Sequence, residues 1–357
     1  MLINSPFRRS EIDFLRGIAI LLVLFRHYRY HDYLYDIGWI GVDLFFVLSG
    51  FLVSGLLFKE YKKHQKIYPF HFLIRRGFKI YPIFYFFIAC TLIAKLIIKS
   101  PIQANQLFGE LFFLQNYLDN MWSHTWSLAI EEHFYLLLTL LIFFTSRFQQ
   151  TGNSRLFFFI FIFTAISCLF LRIYATHLDF KLTNMFYSHN RFDALFFGVF
   201  ISHWYHFKPE KLKNFTEKHK GKLFVFFALC LIVTPIHKAI TSVLLPTIGL
   251  TFIYLGFGAL LLCMLYTDLR ASIPKNKIIQ GIYRTIEKMG VYSYSIYLIH
   301  VVISIIVKNL RIKYQLQEEL ALILYFCVTI ITGVLLSKMI EIPFLKSRDK
   351  YFPSKTS

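Results

Sequence analysis

Ile12-Asp-Phe-Leu-Arg16-Gly-Ile-Ala-Ile-Leu-Leu-Val-Leu-Phe-Arg-His27 is the first membrane-length apolar run of the chain, and its polar landmarks decide how the rest is read. An arginine inside such a run is costly in a bilayer and by default marks a functional site. The step from Arg16 to His27 is very nearly three helical turns. Both side chains therefore share one helix face, about 16 Å apart along the axis. That is about half the thickness of a bilayer core. A cation near one surface and a titratable imidazole near the other predict a ligand lying lengthwise through the protein.

The surrounding composition agrees with a membrane reading. Of 357 residues, 56% are hydrophobic and only 17% charged, against about a quarter charged in a soluble domain. Mean hydropathy is +0.54. The apolar residues fall into long blocks, which predicts an all-α polytopic integral membrane protein. Aromatics at 19% suit lipid-facing and interfacial positions. Ten spans are expected, near 12–30, 38–58, 80–98, 126–145, 156–174, 191–207, 223–240, 244–267, 290–309 and 320–340. The stretch 100–125 is the weakest, with room for a short or re-entrant helix around Leu107–Leu118.

Charge fixes the expected orientation. With the N-terminus inside, the inner segments 1–11, 59–79, 146–155, 208–222, 268–289 and 341–357 hold 26 of the 39 Lys and Arg residues. The outer loop 31–37 has two Asp and no Lys or Arg. This positive-inside asymmetry predicts both termini in the cytoplasm and a multi-pass protein of the cell membrane. The net charge of +19 is then a topology signal and an attraction to anionic lipid, which excludes nucleic acid as a partner.

All five cysteines lie in apolar runs without a CxxC spacing, so buried structural thiols are expected, without disulfide or metal. Asp13 and Arg16 interrupt the first run, so no signal peptide is expected. Neither linker nor repeat divides 1–357; a single transmembrane domain (spans about 12–343) with no appended soluble module is expected.

On this topology Arg16 lies near the inner face and His27 near the outer. The second span enters from outside through Gly41-Val-Asp43, and the fourth through His124-Thr-Trp126-Ser127-Leu-Ala-Ile-Glu131-Glu132. The sixth opens on Arg191-Phe-Asp193. His27, Asp43, His124, Glu131, Glu132, Arg191 and Asp193 are thus expected to converge in the outer half, because charged groups face one another or a wet cavity and not lipid. A carboxylate on one imidazole nitrogen would make His27 a general base for a hydroxyl. Glu131 and Glu132 lie about 100° apart on a helix, so only one can point squarely inward. On the inner side Arg75, Arg76 and Lys79 occupy one turn if helical, just before Pro82. They suit either a phosphate grip or simple lipid anchoring. His300, deep in the ninth span, suits either a site role or a bridge between helices.

These residues resemble the acyltransferase 3 family of membrane O-acyltransferases. Asp13…Leu15-Arg16-Gly17…His27 is similar to its first signature, and Gly41-Val-Asp43-Leu-Phe-Phe-Val-Leu-Ser49-Gly50-Phe51 to its second block. Thr125-Trp126-Ser127-Leu128…Glu131-Glu132-His133-Phe134-Tyr135, Arg191-Phe-Asp193, Tyr292…His300 and Glu341-Ile-Pro343 follow in the family's order. Two positions depart from it: Lys79 stands where the family's basic triplet ends in Arg, and His133 where it has Gln.

The resemblance implies a ten-helix domain that passes an acyl group, most often acetyl, from cytoplasmic acyl-CoA to a hydroxyl of an extracytoplasmic saccharide or glycolipid. It implies His27 as catalytic base with Arg16 as its partner, and Arg75, Arg76, Lys79 and Arg16 as donor-binding residues. Asp43 or Glu131 would orient His27. His124, Trp126, Ser127, Glu132, Arg191, Asp193 and His300 are expected around the acceptor or the oxyanion. No permanently bound cofactor and no metal are expected, with acyl-CoA as donor substrate. The competing class is a proton-coupled transporter of a small polar solute or glycan intermediate, since intramembrane His, Asp and Glu also build proton relays. Direct transfer and an acyl-histidine intermediate are both compatible with the sequence.

Overall fold

The computed structural model describes residues 9–178, 185–236, 243–274 and 276–355. In each of the ten stretches read as spans the described residues are largely helical, and residues 237–240 of the seventh lie outside the described residues. The helices are α1 (Ser10–His27), α2 (Asp32–Ile37), α3 (Ile40–His64), α4 (Pro69–Ile97), α5 (Ala104–Leu111), α6 (Trp126–Arg147), α7 (Ser154–Leu178), α8 (Phe192–Phe207) and α9 (Pro209–Ile236). After these come α10 (Leu250–Leu265), α11 (Leu269–Ser272), α12 (Lys277–Val291), α13 (Ser293–Tyr314), α14 (Glu318–Leu336) and α15 (Ile342–Tyr351). A π-helical turn, Ser337–Glu341, joins α14 to α15. α3, α4, α6 and α13 stop at polar residues in the left-handed region (Gln65, Lys99, Gln149 and Gln315, φ 50–55°), the conformation that commonly closes a helix.

Among the described residues seven helical stretches are long and apolar enough to cross a bilayer: Asp32–His64, Pro69–Ile97, Trp126–Arg147, Ser154–Leu178, Leu245–Leu265, Ser293–Tyr314 and Glu318–Tyr351. The protein is therefore a multi-pass membrane protein. The other three expected spans differ for physical reasons. α1 carries Glu11, Asp13, Arg16 and Arg26 within 18 residues. α8 has only 16 residues, about 24 Å of helix. α9 begins with a lysine-rich half, Pro209-Glu-Lys-Leu-Lys. Phe159, Phe163 and Phe170 project from α7, each at least 64% exposed, as expected of a lipid-facing surface.

The sequence expectation placed a helix start at about residue 80. Instead α4 begins at Pro69 and runs through Pro82, which lies in its interior. Arg75, Arg76 and Lys79 accordingly sit on continuous helix. The weak stretch 100–125 holds one short helix, α5, and a non-helical return. All five cysteines are free; Cys168, Cys230 and Cys263 are buried, but Cys90 and Cys327 are exposed, so the buried-thiol expectation fails at those two positions.

The chain divides into two compact units. The first takes in Met1–Val42, Arg76–Ile102 and Asp268–Pro353; the second takes in Asp43–Arg75, Gln103–Thr267 and Ser354–Ser357. In the first, α1 and α12 touch backbone to backbone through two glycines. A Cβ on Gly17 would stand 2.0 Å from the Ile286 carbonyl oxygen, and one on Gly290 would stand 1.7 Å from that of Asp13. Such small-residue contacts let membrane helices approach where apolar burial gives no drive. In the second unit α3 and α8 repeat the device, Gly50 against the Leu195 carbonyl and Gly198 against that of Val47.

Candidate active site

In the first unit α1 carries both sequence landmarks. The Nδ1 of His27 lies 2.9 Å from the Val23 carbonyl oxygen. A carbonyl only accepts, so Nδ1 carries the hydrogen and Nε2 the lone pair of the neutral ring. The backbone of its own helix thus sets the tautomer that the sequence reading sought from a carboxylate. The His300 ring stands against His27, with centroids 4.4 Å apart and planes at 83°. His300 Nδ1 donates in the same way to the Tyr297 carbonyl.

Arg16 Nη2 donates to Ser293 Oγ at 2.9 Å, and Ser304 Oγ donates to the His27 carbonyl at 2.7 Å. Each contact links residues 277 apart in sequence. α1 and α13 therefore run parallel and in register.

Near Arg16 the unit gathers charge. Lys79 Nζ lies 3.8 Å from Glu341 Oε1, and Arg16, Arg76 and Arg348 act on the same ammonium. Glu341 closes the π-helical turn and is buried. Its Oε2 accepts from Ser295 Oγ at 3.0 Å and Ser337 Oγ at 2.9 Å. Arg348 also pairs with Asp349 at 2.8 Å. Arg16, Arg76, Lys79 and Arg348 thus lie together with the carboxylates of Glu341 and Asp349.

In the second unit the polar residues expected in the outer half are buried, apart from the half-buried Glu131, and several are paired. Arg191 Nη2 meets Asp43 Oδ1 at 2.6 Å, and its guanidinium lies 5.5 Å from the centroid of Phe46 and 5.9 Å from that of Trp126. Asp193 Oδ2 pairs with Arg172 Nη1 at 2.7 Å, while Arg172 also donates to the Asn190 carbonyl and to Thr251 Oγ1. Glu131 accepts from Ser49 Oγ at 2.8 Å and Tyr135 Oη at 2.7 Å. Glu132, His124 and Ser127 are buried. His124 stands edge-on to Trp122. Arg75 lies within electrostatic reach of Glu60. His133, the family departure, contacts Ser188 Oγ at 2.7 Å.

The structure thus groups Asp43 with Arg191 and Trp126, and Glu131 with Ser49, in one unit. His27 groups with His300, and Arg16 lies with Lys79 and Arg76, in the other. Sequence reasoning missed Arg172, Glu341 as a structural partner of Lys79, Arg348, and the serines opposite Arg16 and His27. Arg172 carried a signal, since it is a charge inside the apolar run 156–174. It also missed Glu110 on α5, fully buried, whose Oε1 accepts from the Met121 and Trp122 amides and Thr125 Oγ1 at 2.9–3.2 Å. This carboxyl pins the return that leads into Trp126. Burial pushes it up to about 7.

With that geometry in view, comparison with known proteins identifies the class. A model described as an acyltransferase domain matches residues 9–340, and the chain belongs to this acyltransferase 3 family. Among similar proteins, the O-acetyltransferase OatA of Staphylococcus aureus (strain NCTC 8325) is 35% identical over 155 residues, 39% of this chain and 25% of the relative. The peptidoglycan O-acetyltransferase OatA of Listeria monocytogenes is 32% identical over 145 residues, 36% of this chain and 23% of the relative. A putative O-acetyltransferase of Staphylococcus aureus (strain MRSA252) is 28% identical over 386 residues, 96% of this chain and 59% of the relative. The matches span about a quarter of the first two relatives and somewhat over half of the third. No solved structure matches the chain.

Proposed function

We propose that this protein is a membrane O-acetyltransferase that carries an acetyl group from acetyl-CoA, entering on the cytoplasmic side, to a hydroxyl of an extracytoplasmic saccharide. Peptidoglycan is the proposed acceptor, on the strength of the Listeria relative's name. The observation that carries the reading is His27, its Nδ1–H tied to the Val23 carbonyl and its Nε2 lone pair available as a base. Arg16 stands on the same helix face, toward a cationic cluster suited to a phosphorylated donor.

In this mechanism Arg76, Lys79 and Arg16, together with Arg75, hold the donor's phosphates. The pantetheine arm extends along α1 toward His27. Nε2 of His27 takes the proton of the acceptor hydroxyl as its oxygen attacks the thioester carbonyl. The carbon–oxygen bond forms, the carbon–sulfur bond breaks, and the CoA thiolate leaves, taking from His27 Nε2 the proton that came from the hydroxyl. His124, Trp126 and Ser127 are the proposed contacts for the oxyanion or acceptor. Asp43, Glu131, Glu132, Arg191 and Asp193 are the proposed polar lining on the acceptor side.

The test is CoA release and acetyl transfer by the purified protein in lipid nanodiscs, with labelled acetyl-CoA and a soluble glycan fragment. His27→Ala should lower kcat at least a hundredfold at equal expression, and Arg16→Ala should be similarly impaired. Near-normal turnover by His27→Ala would end the base assignment. No CoA release by the wild-type protein would favour a transporter instead.

A further inference from the structure

One stripe of α13 faces His27. His300, Ser304 and Lys308 are spaced i, i+4, i+8, one helix face over two turns. Each lands on the same residue of α1. The His300 ring stands against the His27 ring at 4.4 Å. Ser304 Oγ donates to the His27 carbonyl at 2.7 Å, and Lys308 Nζ donates to the same oxygen at 3.2 Å. His300 is fully buried, whereas His27 keeps part of its surface open. The ring proposed to meet substrate is therefore backed by a fully buried ring.

The backbone hold has its own cause. The His27 carbonyl belongs to the last turn of α1, where carbonyls lack intrahelical partners. Ser304 and Lys308 supply them, and an ammonium at a helix C-terminus also suits the dipole. Tyr325 of α14 reaches the Leu24 carbonyl in the same turn, and its ring stacks on Tyr28 at 4.9 Å. The charges close to His27 are Arg26 on its own helix and Lys308. On α2, Asp32 is paired with Arg29, on which Asp36 also acts.

We propose that His300 is a positioning residue for catalysis, fixing the plane of the His27 imidazole while Ser304 and Lys308 fix its backbone. This rests on His27 being the base. A general base contributes only when its lone pair is aimed at the proton it takes, and small misplacements of a catalytic group cost large factors in rate. Tyr297's carbonyl anchors the His300 ring, so its plane is fixed before His27 packs on it.

The experiment is acetyl-transfer kinetics on His300→Ala, His300→Phe and Ser304→Ala in nanodiscs, beside His27→Ala. His300→Ala should lower kcat about tenfold with KM for donor and acceptor within twofold. His300→Phe, which restores a planar ring of similar breadth, should recover kcat to within about threefold of wild type. Ser304→Ala loses one hydrogen bond and almost no volume, and it keeps the test intact if His300→Ala accumulates poorly. It should lower kcat about threefold at constant KM. Wild-type kcat in both His300→Ala and Ser304→Ala would overturn the proposal. So would equal losses in the Ala and Phe variants, or a KM that moves with kcat. If His27→Ala is dead while these variants are normal, the positioning role alone fails; if His27→Ala is active, the base assignment itself fails.

Discussion

Replacing Glu110 by Gln tests how the segment before Trp126 is held. Glu110 is 0% exposed and its carboxyl is pushed by burial from the ordinary 4.5 to about 7. Three donors converge on Oε1, and they partly offset the loss of water around the anion. The folded protein therefore prefers the neutral acid, and the unfolded chain ionises first as pH rises. Stability is greatest below about 4.5, falls as pH rises to about 7, and is level above that. At about 1.4 kcal/mol per decade of pH, the loss is about 3 kcal/mol. Gln keeps an oxygen for the three donors and cannot ionise, so it removes this slope. The variant should gain on wild type by about 3 kcal/mol between pH 4.5 and pH 8, a difference of several degrees in apparent Tm. Intrinsic-fluorescence melts in detergent suit the measurement, because Trp122 and Trp126 flank the pinned segment. A wild-type–variant difference that stays constant across this range would refute the reasoning, as would a variant that is worse at pH 8 than at pH 5.

Other perturbations follow from equally specific contacts. Gly290→Ala puts a Cβ 1.7 Å from the Asp13 carbonyl oxygen and should abolish folded yield in size-exclusion profiles, whereas Gly221→Ala meets nothing within 4 Å and should be neutral or slightly stabilising. Arg172→Met strands Asp193 as a buried unpaired carboxylate and should cost about 3–5 kcal/mol, read as a large fall in apparent Tm; the double variant Arg172→Met/Asp193→Leu should recover much of it. Arg348→Ala removes a cation that acts on Lys79 and should raise the KM for acetyl-CoA severalfold with kcat nearly unchanged; an unmoved KM would show that Arg348 takes no part in holding the proposed donor.

The helical class was legible because apolar blocks of membrane length have few alternatives. Where the reading slipped, the cause was local. Pro82 suits either the start or a bend of a helix, and α4 runs through it; a proline inside a membrane helix is tolerated when neighbouring groups satisfy the freed carbonyl. Arg16 and His27 were placed on one face by period alone, and the structure keeps them there. What periodicity cannot supply is the partner helix. Ser293, Ser304 and His300 lie about 280 residues away, and only the parallel register of α1 and α13 brings them to Arg16 and His27. Glu110 was invisible for another reason, since it sits in a short element whose composition resembles a loop.

The same sequence signal, a charge in an apolar run, leads to different surroundings at Arg172 and Arg16. Arg172 is closed within its own unit by Asp193, a carbonyl and a threonine hydroxyl. Arg191 is closed by Asp43 and two aromatic rings. These pairings offset part of the burial cost, since the Nε atoms of both arginines and Asp43 Oδ2 stay buried without a hydrogen-bond partner. Arg16 donates to a neutral serine hydroxyl, beside a cluster in which Arg76, Lys79 and Arg348 lie with the carboxylates of Glu341 and Asp349. A half-buried arginine hydrogen-bonded to a neutral hydroxyl is stabilised further by an anionic ligand, and a phosphorylated donor would supply one.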